Sequence, residues 1–346
     1  MNKNSKQNRA VWFENGIVFM VDQTKLPFSN KIVSFDSCSK TAKAIKDMVT
    51  RGAGSLGTAA GYAMAQAAVQ AKGEYSEYIK QAKAEIEAAR PTAKDLFTAV
   101  NRVYKAALQS PQCAVEEANN FADEIVNDAY KIGVEGNKLL KHNTSILTHC
   151  NAGRLAIVEH GSATAPMYEA KRAGKEITVY IDETRPRSQG ALLTAYELNE
   201  AGINHWVIAD NAAAWLMAQG KIDLVITGAD RIVANGDTAN KIGTLGKAIA
   251  AKEFGIPFYI AAPFSTFDFS LKSGNRIQIE ERDSEEVIYR EGPDDLGNMH
   301  KIQVVSPGSP VLNPAFDVTP AKYITGFITP KGIFSAQEFK TIQNYV

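Results

Sequence analysis

The chain has 346 residues, with 38 Lys and Arg residues balanced by 38 Asp and Glu residues, so its formal net charge is zero. A chain of this length buries a large core and is expected to form two domains. The balanced charge argues against nucleic acid or a membrane as the main partner, and no stretch reaches the roughly 18 unbroken apolar residues of a membrane helix.

The three cysteines, Cys38, Cys113 and Cys150, are widely spaced and odd in number. This pattern predicts neither a disulfide framework nor a zinc site, and it is typical of a cytoplasmic protein with reduced thiols. The basic N-terminal residues lack the apolar core of a signal peptide, and we interpret them as a frayed tail before the first strand.

The N-terminal part is predicted to begin with short strands and to continue as helices. Val11 to Phe19 indicates two strands separated by Asn15-Gly16, which is a strong hairpin signal, and Ile32 to Phe35 indicates another strand. From Lys40 to about Val134, apolar residues recur at spacings of three and four between Lys and Glu residues. This spacing is typical of packed helices.

Two interruptions of the helical pattern are candidate anion sites. Arg51-Gly52-Ala53-Gly54-Ser55-Leu56-Gly57 places a glycine loop between two helices, where backbone N–H groups, a helix N-terminus and Arg51 can hold a phosphate. Arg90 stands before Pro91, which ends one helix and presets the start of the next. The alternatives are a plain helix-helix turn for the loop and a surface charge for Arg90.

After about Leu139, strands alternate with helices, and a polar cluster follows each strand. Because the carboxyl ends of parallel strands meet at one edge of a sheet, these clusters predict a single ligand site there. The strands and their clusters are Ser145 to Thr148 before His149-Cys150-Asn151, Thr178 to Ile181 before Asp182-Glu183-Thr184-Arg185, and Trp206 to Ala209 before Asp210-Asn211.

The stretch from Ile222 to Ala262 has the order strand, loop, helix, strand, which predicts a βαβ unit. Its first strand, Leu224 to Thr227, ends in Gly228-Ala229-Asp230 and delivers a carboxylate to the sheet edge. The elements that follow are a polar loop with Asn235, Asn240 and Lys241, a helix over Thr244 to Phe254, and a strand over Phe258 to Ala262.

The change of periodicity near residue 135 predicts the domain boundary. Residues 1–134 would form the N-terminal strands plus a helical domain, and residues 135–346 would form an α/β domain with a parallel sheet. Within the second domain, the polar residues from Ile277 to Asn298 indicate an excursion over the surface, and Tyr323 to Ile328 indicates the last strand.

Cys150 and Asp230 are the candidate catalytic pair. A thiol and a carboxylate on two faces of a bound substrate suit proton transfer next to a carbonyl or hemiacetal carbon, and the thiol is open to activation by the next helix N-terminus or by a cation. An isolated free cysteine is more often a buried core residue. Covalent catalysis with His149 as base is disfavoured because adjacent strand residues point to opposite faces, and the spacings match no metal-ligand pattern.

With these residues in place, the chain resembles the methylthioribose-1-phosphate isomerase family. That family shares a superfamily with ribose-1,5-bisphosphate isomerases and with regulatory subunits of a translation-initiation exchange factor. The motifs that carry the resemblance are Asp22-Gln23, Ile45-Lys46-Asp47-Met48-Val49, Arg51-Gly52-Ala53, Arg90-Pro91-Thr92-Ala93, Thr148-His149-Cys150-Asn151, Asp182-Glu183-Thr184-Arg185-Pro186, Gln189-Gly190, Gly228-Ala229-Asp230-Arg231-Ile232, Asn235-Gly236-Asp237, Asn240-Lys241-Ile242-Gly243, Ile279-Glu280-Glu281-Arg282 and Asn313-Pro314-Ala315-Phe316-Asp317.

The resemblance implies a mainly helical N-terminal domain, a Rossmann-like C-terminal domain, a homodimer, and aldose-to-ketose isomerisation of a sugar 1-phosphate, with no cofactor and no metal. It implies that Cys150 carries the proton and that Asp230 is its acid-base partner. The residues it implies for the phosphate and the hydroxyl groups are Arg51, Gly52, Ala53, Arg90, Gln189, Asn240 and Lys241. Two arginines, a lysine and a glycine loop are also what a small phosphorylated substrate requires.

Departures from the family pattern leave the substituent at the 5-position open. Gly54-Ser55-Leu56-Gly57 stands where the family typically has Pro-Ala-Ile-Gly, Arg187-Ser188 replaces an aromatic and an apolar residue, and Arg154 replaces a neutral one. The extra arginines favour a hydroxyl or a phosphate over a methylthio group, unless they face solvent or pair with acids. Ribose 1,5-bisphosphate and 5-deoxyribose 1-phosphate are therefore alternative substrates, and a non-catalytic regulatory subunit is the alternative class.

Overall fold

The computed structural model describes residues 9–91 and 93–345, and the predicted frayed tail and Thr92 lie outside them. The described residues form two compact units. The first contains the chain up to Val134 together with Ala152–Pro166, and the second contains Glu135–Asn151 and the chain from Met167 onward. The domain boundaries inferred from the change of periodicity stay a prediction.

The first unit begins with a three-stranded antiparallel sheet made of β1 (Val11–Glu14), β2 (Ile17–Val21) and β3 (Ile32–Phe35). Asn15 and Gly16 turn the chain between β1 and β2, with φ angles of 51° and 80°. Positive φ at both central residues is what a two-residue hairpin loop requires. The strands and the hairpin predicted from the sequence are confirmed.

Helices make up the rest of the first unit, and α2 lies at its centre. Residues 54–68 of α2 are all buried, so this helix has no solvated face. Gly54 and Gly57 lie inside α2, so the predicted glycine loop is wrong beyond Ala53. A Cβ at Gly57 would lie 2.9 Å from the backbone oxygen of Asp95, and close helix packing therefore explains that glycine. The helices are α1 (Cys38–Lys46), α2 (Ala53–Gln70), α3 (Tyr75–Ala89), α4 (Lys94–Ala107) and α5 (Pro111–Asn137), which ends beyond the boundary of the unit.

The second unit is an α/β structure. Its helices are α6 (Ala165–Arg172, which begins at the end of the first unit), α7 (Ala195–Glu200), α8 (Ala213–Ala218), α9 (Thr244–Glu253), α10 (Glu285–Ile288) and α11 (Phe339–Ile342). Its strands are β4 (Thr144–Thr148), β5 (Ile177–Asp182), β6 (Asn204–Ile208), β7 (Leu224–Thr227), β8 (Arg231–Val233), β9 (Thr238–Lys241), β10 (Phe258–Ala261), β11 (Phe267–Asp268), β12 (Tyr289–Pro293), β13 (Met299–Gln303), β14 (Phe316–Thr319), β15 (Gly326–Thr329) and β16 (Gly332–Ser335). No helix among the described residues is long and apolar enough to cross a bilayer.

The main sheet has seven strands in the order β16-β15-β10-β7-β4-β5-β6, and every pair is parallel except β15 with β16. The chain runs outward from β4 through β5 to β6, then returns to the other side of β4 with β7, β10 and β15. This is the doubly wound order of a Rossmann-like domain, and its direction reverses between β4 and β7. The predicted fold class is confirmed, and ligands of such sheets bind where the direction reverses.

Two predicted segments differ from the structure. Asn240 and Lys241 lie on β9 and not in a loop, because Gly236, with φ of 84°, helps to reverse the chain and β8 and β9 pair as a hairpin. The sequence also placed the last strand at Tyr323 to Ile328, whereas β15 begins at Gly326 and is followed by β16 and α11. The predicted surface excursion contains α10 and β12, and β12 pairs with the exposed strand β13, which begins just after the predicted end at Asn298.

Gly190 begins a π-helical turn over Gly190–Thr194, and its Cα lies very close to the backbone of Asp182. A Cβ built there would lie 1.8 Å from the carbonyl oxygen of Asp182, whereas one at Gly246 in α9 would meet nothing within 4 Å. We expect Gly190→Ala to lower the free energy of unfolding by about 3 kcal/mol, and Gly246→Ala to raise it by about 0.5–1 kcal/mol. Urea unfolding measures both, and equal midpoints for Gly190→Ala and the unmodified protein would contradict this packing.

Candidate active site

Cys150 lies just beyond β4, at the place where the sheet reverses direction. Its φ angle is 66°, in the left-handed region that costs a residue other than glycine roughly 1–2 kcal/mol. Its N–H donates to Oγ1 of Thr184 (2.8 Å), and its carbonyl accepts from Oγ1 of Thr194 (2.7 Å). The thiol donates to Oε1 of Gln189 at 3.4 Å, so a predicted binding residue contacts the predicted proton carrier.

The environment of the Cys150 thiol differs from one prediction. The sequence suggested activation by the next helix N-terminus, but the chain continues as a loop until α6 begins at Ala165. The groups that hold Cys150 come instead from the segment after β5, which supplies Thr184 and Gln189.

Asp230 lies just beyond β7, on the other side of the reversal point. Its side chain is exposed, and its N–H donates to the carbonyl of Ala239 at 2.9 Å. That bond ties the turn carrying the carboxylate to β9. The two predicted catalytic residues therefore end the two strands that flank the reversal point, where a substrate can lie between them.

His149 is buried and engages both ring nitrogens away from Cys150. Nε2 lies 2.8 Å from the carbonyl oxygen of Ile242 and Nδ1 lies 2.7 Å from Oδ2 of Asp182. Because a carbonyl only accepts, Nε2 carries a proton and donates it. The geometry supports the argument against a Cys-His dyad.

Asp182 joins His149 to Lys247 in a buried ionic cluster. Nζ of Lys247 lies 3.2 Å from the carboxylate oxygen that faces His149, and the three side chains are 7% exposed or less. A buried charge that loses its partner lowers the stability of the folded state. Such a cluster therefore resists movement of the backbone segments that carry its side chains. The cluster holds the end of β4, the end of β5 and the segment after β9 in one arrangement.

The ligand atoms of His149, Asp182 and Asp210 lie within 4.8 Å of one another, a spacing that a metal ion would allow. The ring nitrogens of His149 are already engaged. The oxygens of Asp210 accept from the N–H groups of Thr184 (2.6 Å) and Arg185 (2.7 Å). These atoms are used in organising the loop after β5, and we assign no metal to them.

Lys241 is a buried cation on β9. Its Nζ donates to the carbonyl of Ala315 at 2.8 Å and lies 4.4 Å from the ring centroid of Phe316. Burial lowers the pKa of Lys241 and Arg282 lowers it further, while attraction to Cys150 and Asp230 opposes this shift. The ammonium group therefore interacts electrostatically with both predicted catalytic residues.

Asn240, the other predicted binding residue on β9, is turned toward the start of α9. Its Nδ2 donates to Oγ1 of Thr244 at 3.0 Å, and the side chain is buried. This contact shows how Asn240 is held, and its role in binding stays a prediction.

A pocket in the second unit, with about 210 Å³ of space between and in front of its walls, brings Gln189 and Lys241 together. Arg187 also lines this pocket, so it does not face solvent alone. The sequence did not assign Arg282, Glu286 or Asn313 to the site, although Arg282 and Asn313 belong to motifs that carried the family resemblance. The lining residues are Thr184, Pro186, Arg187, Gln189, Lys241, Arg282, Glu286, Asn313 and Ala315.

A family model described as the initiation factor 2 subunit family matches residues 49–336. The chain belongs to this family. It is 47% identical to a methylthioribose-1-phosphate isomerase of Methylorubrum extorquens over 93% of this chain and 91% of that one. It is 45% identical to a 5-deoxyribose 1-phosphate isomerase of Clostridium botulinum over 91% of each chain.

A solved structure similar to this chain supports the fold. The crystal structure of 5-methylthioribose 1-phosphate isomerase from Pyrococcus horikoshii matches with a TM-score of 0.87 and 41% identity, over 97% of this chain and 95% of that one. The family resemblance inferred from the motifs is therefore confirmed, and it extends over nearly the whole chain.

The remaining site residues predicted for this family lie in the first unit. Arg51 donates from Nη2 to the carbonyl of Gln23 at 3.0 Å. Gly52, with φ of 89°, directly precedes α2, which begins at Ala53, and a Cβ at Gly52 would lie 2.3 Å from Ala156. Arg90 ends α3. Arg51 and Gly52 thus stand at a helix N-terminus as predicted, and their binding role stays a prediction.

Arg154, the other extra arginine, lies in the segment Ala152–Pro166 that packs with the first unit. It is half-buried. Of the two arginines that depart from the family pattern, only Arg187 lines the pocket of the second unit.

Proposed function

We propose that the chain is an aldose-ketose isomerase that converts a 5-substituted ribose 1-phosphate to the corresponding ribulose 1-phosphate. The substrate we favour is S-methyl-5-thio-α-D-ribose 1-phosphate, an intermediate of methionine salvage. The observation that carries the proposal is the placement of Cys150 and Asp230 on the two sides of the reversal point, with the Lys241 ammonium interacting with both. The names of the relatives support the same reaction.

The reaction has to overcome a blocked aldehyde, because the anomeric carbon of a sugar 1-phosphate is locked in a phosphoacetal. Asp230, protonated in the substrate complex, gives its proton to the ring oxygen as the bond from that oxygen to C1 breaks. Cys150 removes the proton from C2 and returns it to C1 through an enediol-type intermediate. The 2-hydroxyl then becomes the ketone and returns a proton to Asp230. A direct hydride shift from C2 to C1 is the competing route.

Lys241 is suited to hold the phosphate. Among the described residues it forms no ion pair, and the acids that act on its charge, Asp230 and Glu286, do so without a direct contact. An ammonium group in a partly dry pocket attracts both a phosphate and a thiolate at Cys150. Gln189, Asn240, Arg51, Gly52, Ala53 and Arg90 complete the proposed binding set. The steps are proton transfers and the ring opening that the first of them assists, so the proposal includes no cofactor.

Ketose formation from four sugar phosphates tests the proposal. We expect turnover of 5-methylthioribose 1-phosphate and a loss of about 100-fold or more in kcat for Cys150→Ser and for Asp230→Asn, with unchanged circular dichroism. Cys113→Ser is the matched control, because Cys113 is also a half-buried free cysteine but lies in α5. The other substrates are 5-deoxyribose 1-phosphate, ribose 1-phosphate and ribose 1,5-bisphosphate. Full activity of Cys150→Ser would refute the assigned role.

The alternative substrate with specific support is 5-deoxyribose 1-phosphate, because a relative with 45% identity carries the name of that isomerase. The same site and the same proton transfers would serve. The alternative class, a regulatory subunit, is favoured only by the name of the family. Absence of turnover with all four compounds would favour it.

We also propose a cytoplasmic homodimer. Strand β6 lies at the edge of the main sheet and carries Trp206, which is 61% exposed, and Trp215 of α8 is 64% exposed. A large exposed aromatic side chain at an open strand edge suits coverage by a second copy. Three free cysteines fit a reducing compartment.

Sedimentation velocity checks the homodimer. We expect a species of twice the chain mass, and a shift to monomer on Trp206→Lys, because a charge would then have to be buried in the contact. Lys substitution of Leu296, an apolar residue that is 87% exposed in the β12-β13 hairpin, is the control. A monomeric unmodified protein would refute the dimer.

A further inference from the structure

Arg187, Arg282 and Glu286 line one wall of the pocket, and with Glu280, which pairs with Arg282 from outside the lining, they form what we call the ionic wall. Nη1 of Arg187 lies 2.8 Å from Oε1 of Glu286, and Nη1 of Arg282 lies 3.9 Å from the other oxygen of Glu286. Nε of Arg282 lies 3.5 Å from Glu280. With two arginines and two glutamates, this ionic wall has no net charge at neutral pH.

Lys241 lines the same pocket and, unlike the two arginines, forms no ion pair among the described residues. The pocket therefore has one cation outside any ion pair of the described residues, and one neutral wall. The Lys241 ammonium group suits a single phosphate. A second phosphate placed against the ionic wall would compete with Glu286 for both arginines and would meet the carboxylate at short range.

The ionic wall is held in place by further hydrogen bonds as well as by its ion pairs. Nη2 of Arg185 donates to the carbonyl of Val287 at 2.8 Å, and Nδ2 of Asn313 donates to Glu286 at 3.3 Å. These bonds fix α10, which carries Glu286, against the loop after β5. Moving Glu286 aside to free Arg187 would break several contacts at once, so the neutral wall is preorganised.

We infer that Glu286 determines specificity by cancelling the charge of Arg187, so that the pocket accepts an uncharged 5-substituent and rejects a 5-phosphate. The inference rests on the proposed function and narrows its substrate class. It also reverses the expectation that an extra arginine at position 187 favours an anionic substituent. The uncharged 5-substituents of the methylthio and deoxy compounds fit against the neutral ionic wall, and the 5-phosphate of ribose 1,5-bisphosphate does not.

The test compares the inhibition constant of ribose 1,5-bisphosphate with the Michaelis constant for the methylthio substrate. Glu286→Gln keeps the shape of the side chain and leaves the ionic wall with a net positive charge. We expect it to lower the ratio of the inhibition constant to the Michaelis constant by at least about tenfold. Arg187→Gln leaves a net negative charge and should raise the same ratio by a similar factor.

The matched control is Glu285→Gln, the same chemical change one residue earlier in α10. Glu285 is exposed and pairs with Lys301 outside the pocket, so the ratio should not change. An unchanged ratio in Glu286→Gln, or a preference of the unmodified protein for the bisphosphate, would overturn the inference and leave the proposed isomerase activity standing. Absence of turnover by the unmodified protein would overturn both.

Discussion

The buried cluster of His149, Asp182 and Lys247 is the constraint on which the candidate site depends. It occupies the ends of β4 and β5 and donates from His149 to the carbonyl of Ile242, the residue that follows Lys241. His149 directly precedes Cys150, and Ile242 directly follows Lys241. Because separating buried charges is costly, the cluster favours a fixed spacing between the backbone at Cys150 and the backbone at Lys241.

The distribution of charge also explains the pocket. Three cationic side chains line the pocket, and Arg187 and Arg282 are paired with glutamates. Lys241 forms no ion pair among the described residues, and its buried ammonium group interacts with both Cys150 and Asp230. Charge is concentrated where the phosphate and the thiol are proposed to meet, and it is cancelled on the wall nearby.

Much of the fold was predictable from local signals, because apolar runs and polar clusters alternate at the period of a doubly wound sheet. The β8-β9 hairpin was missed because its strands have only three and four residues, and the polar side chains of β9 resemble a loop. The glycines of α2 were wrongly assigned to a loop. They allow α2 to pack closely against residues that are distant in sequence, such as Asp95 at Gly57. Cys150 and Asp230 could be predicted as a pair because each follows an apolar strand, and their role stays a prediction. The pairing of Arg187 with Glu286 joins residues 99 apart in sequence, and no periodicity reports it.

Solvent isotope incorporation tests the central claim that the two strand ends carry out proton transfer. The protein would convert 5-methylthioribose 1-phosphate in deuterium oxide, and mass spectrometry and NMR would locate deuterium in the ketose. The account predicts deuterium at C1, because a thiol proton in a partly exposed site exchanges with solvent during turnover. Complete absence of deuterium at C1, at dilute substrate and after many turnovers, would contradict it and favour a hydride shift from C2 to C1.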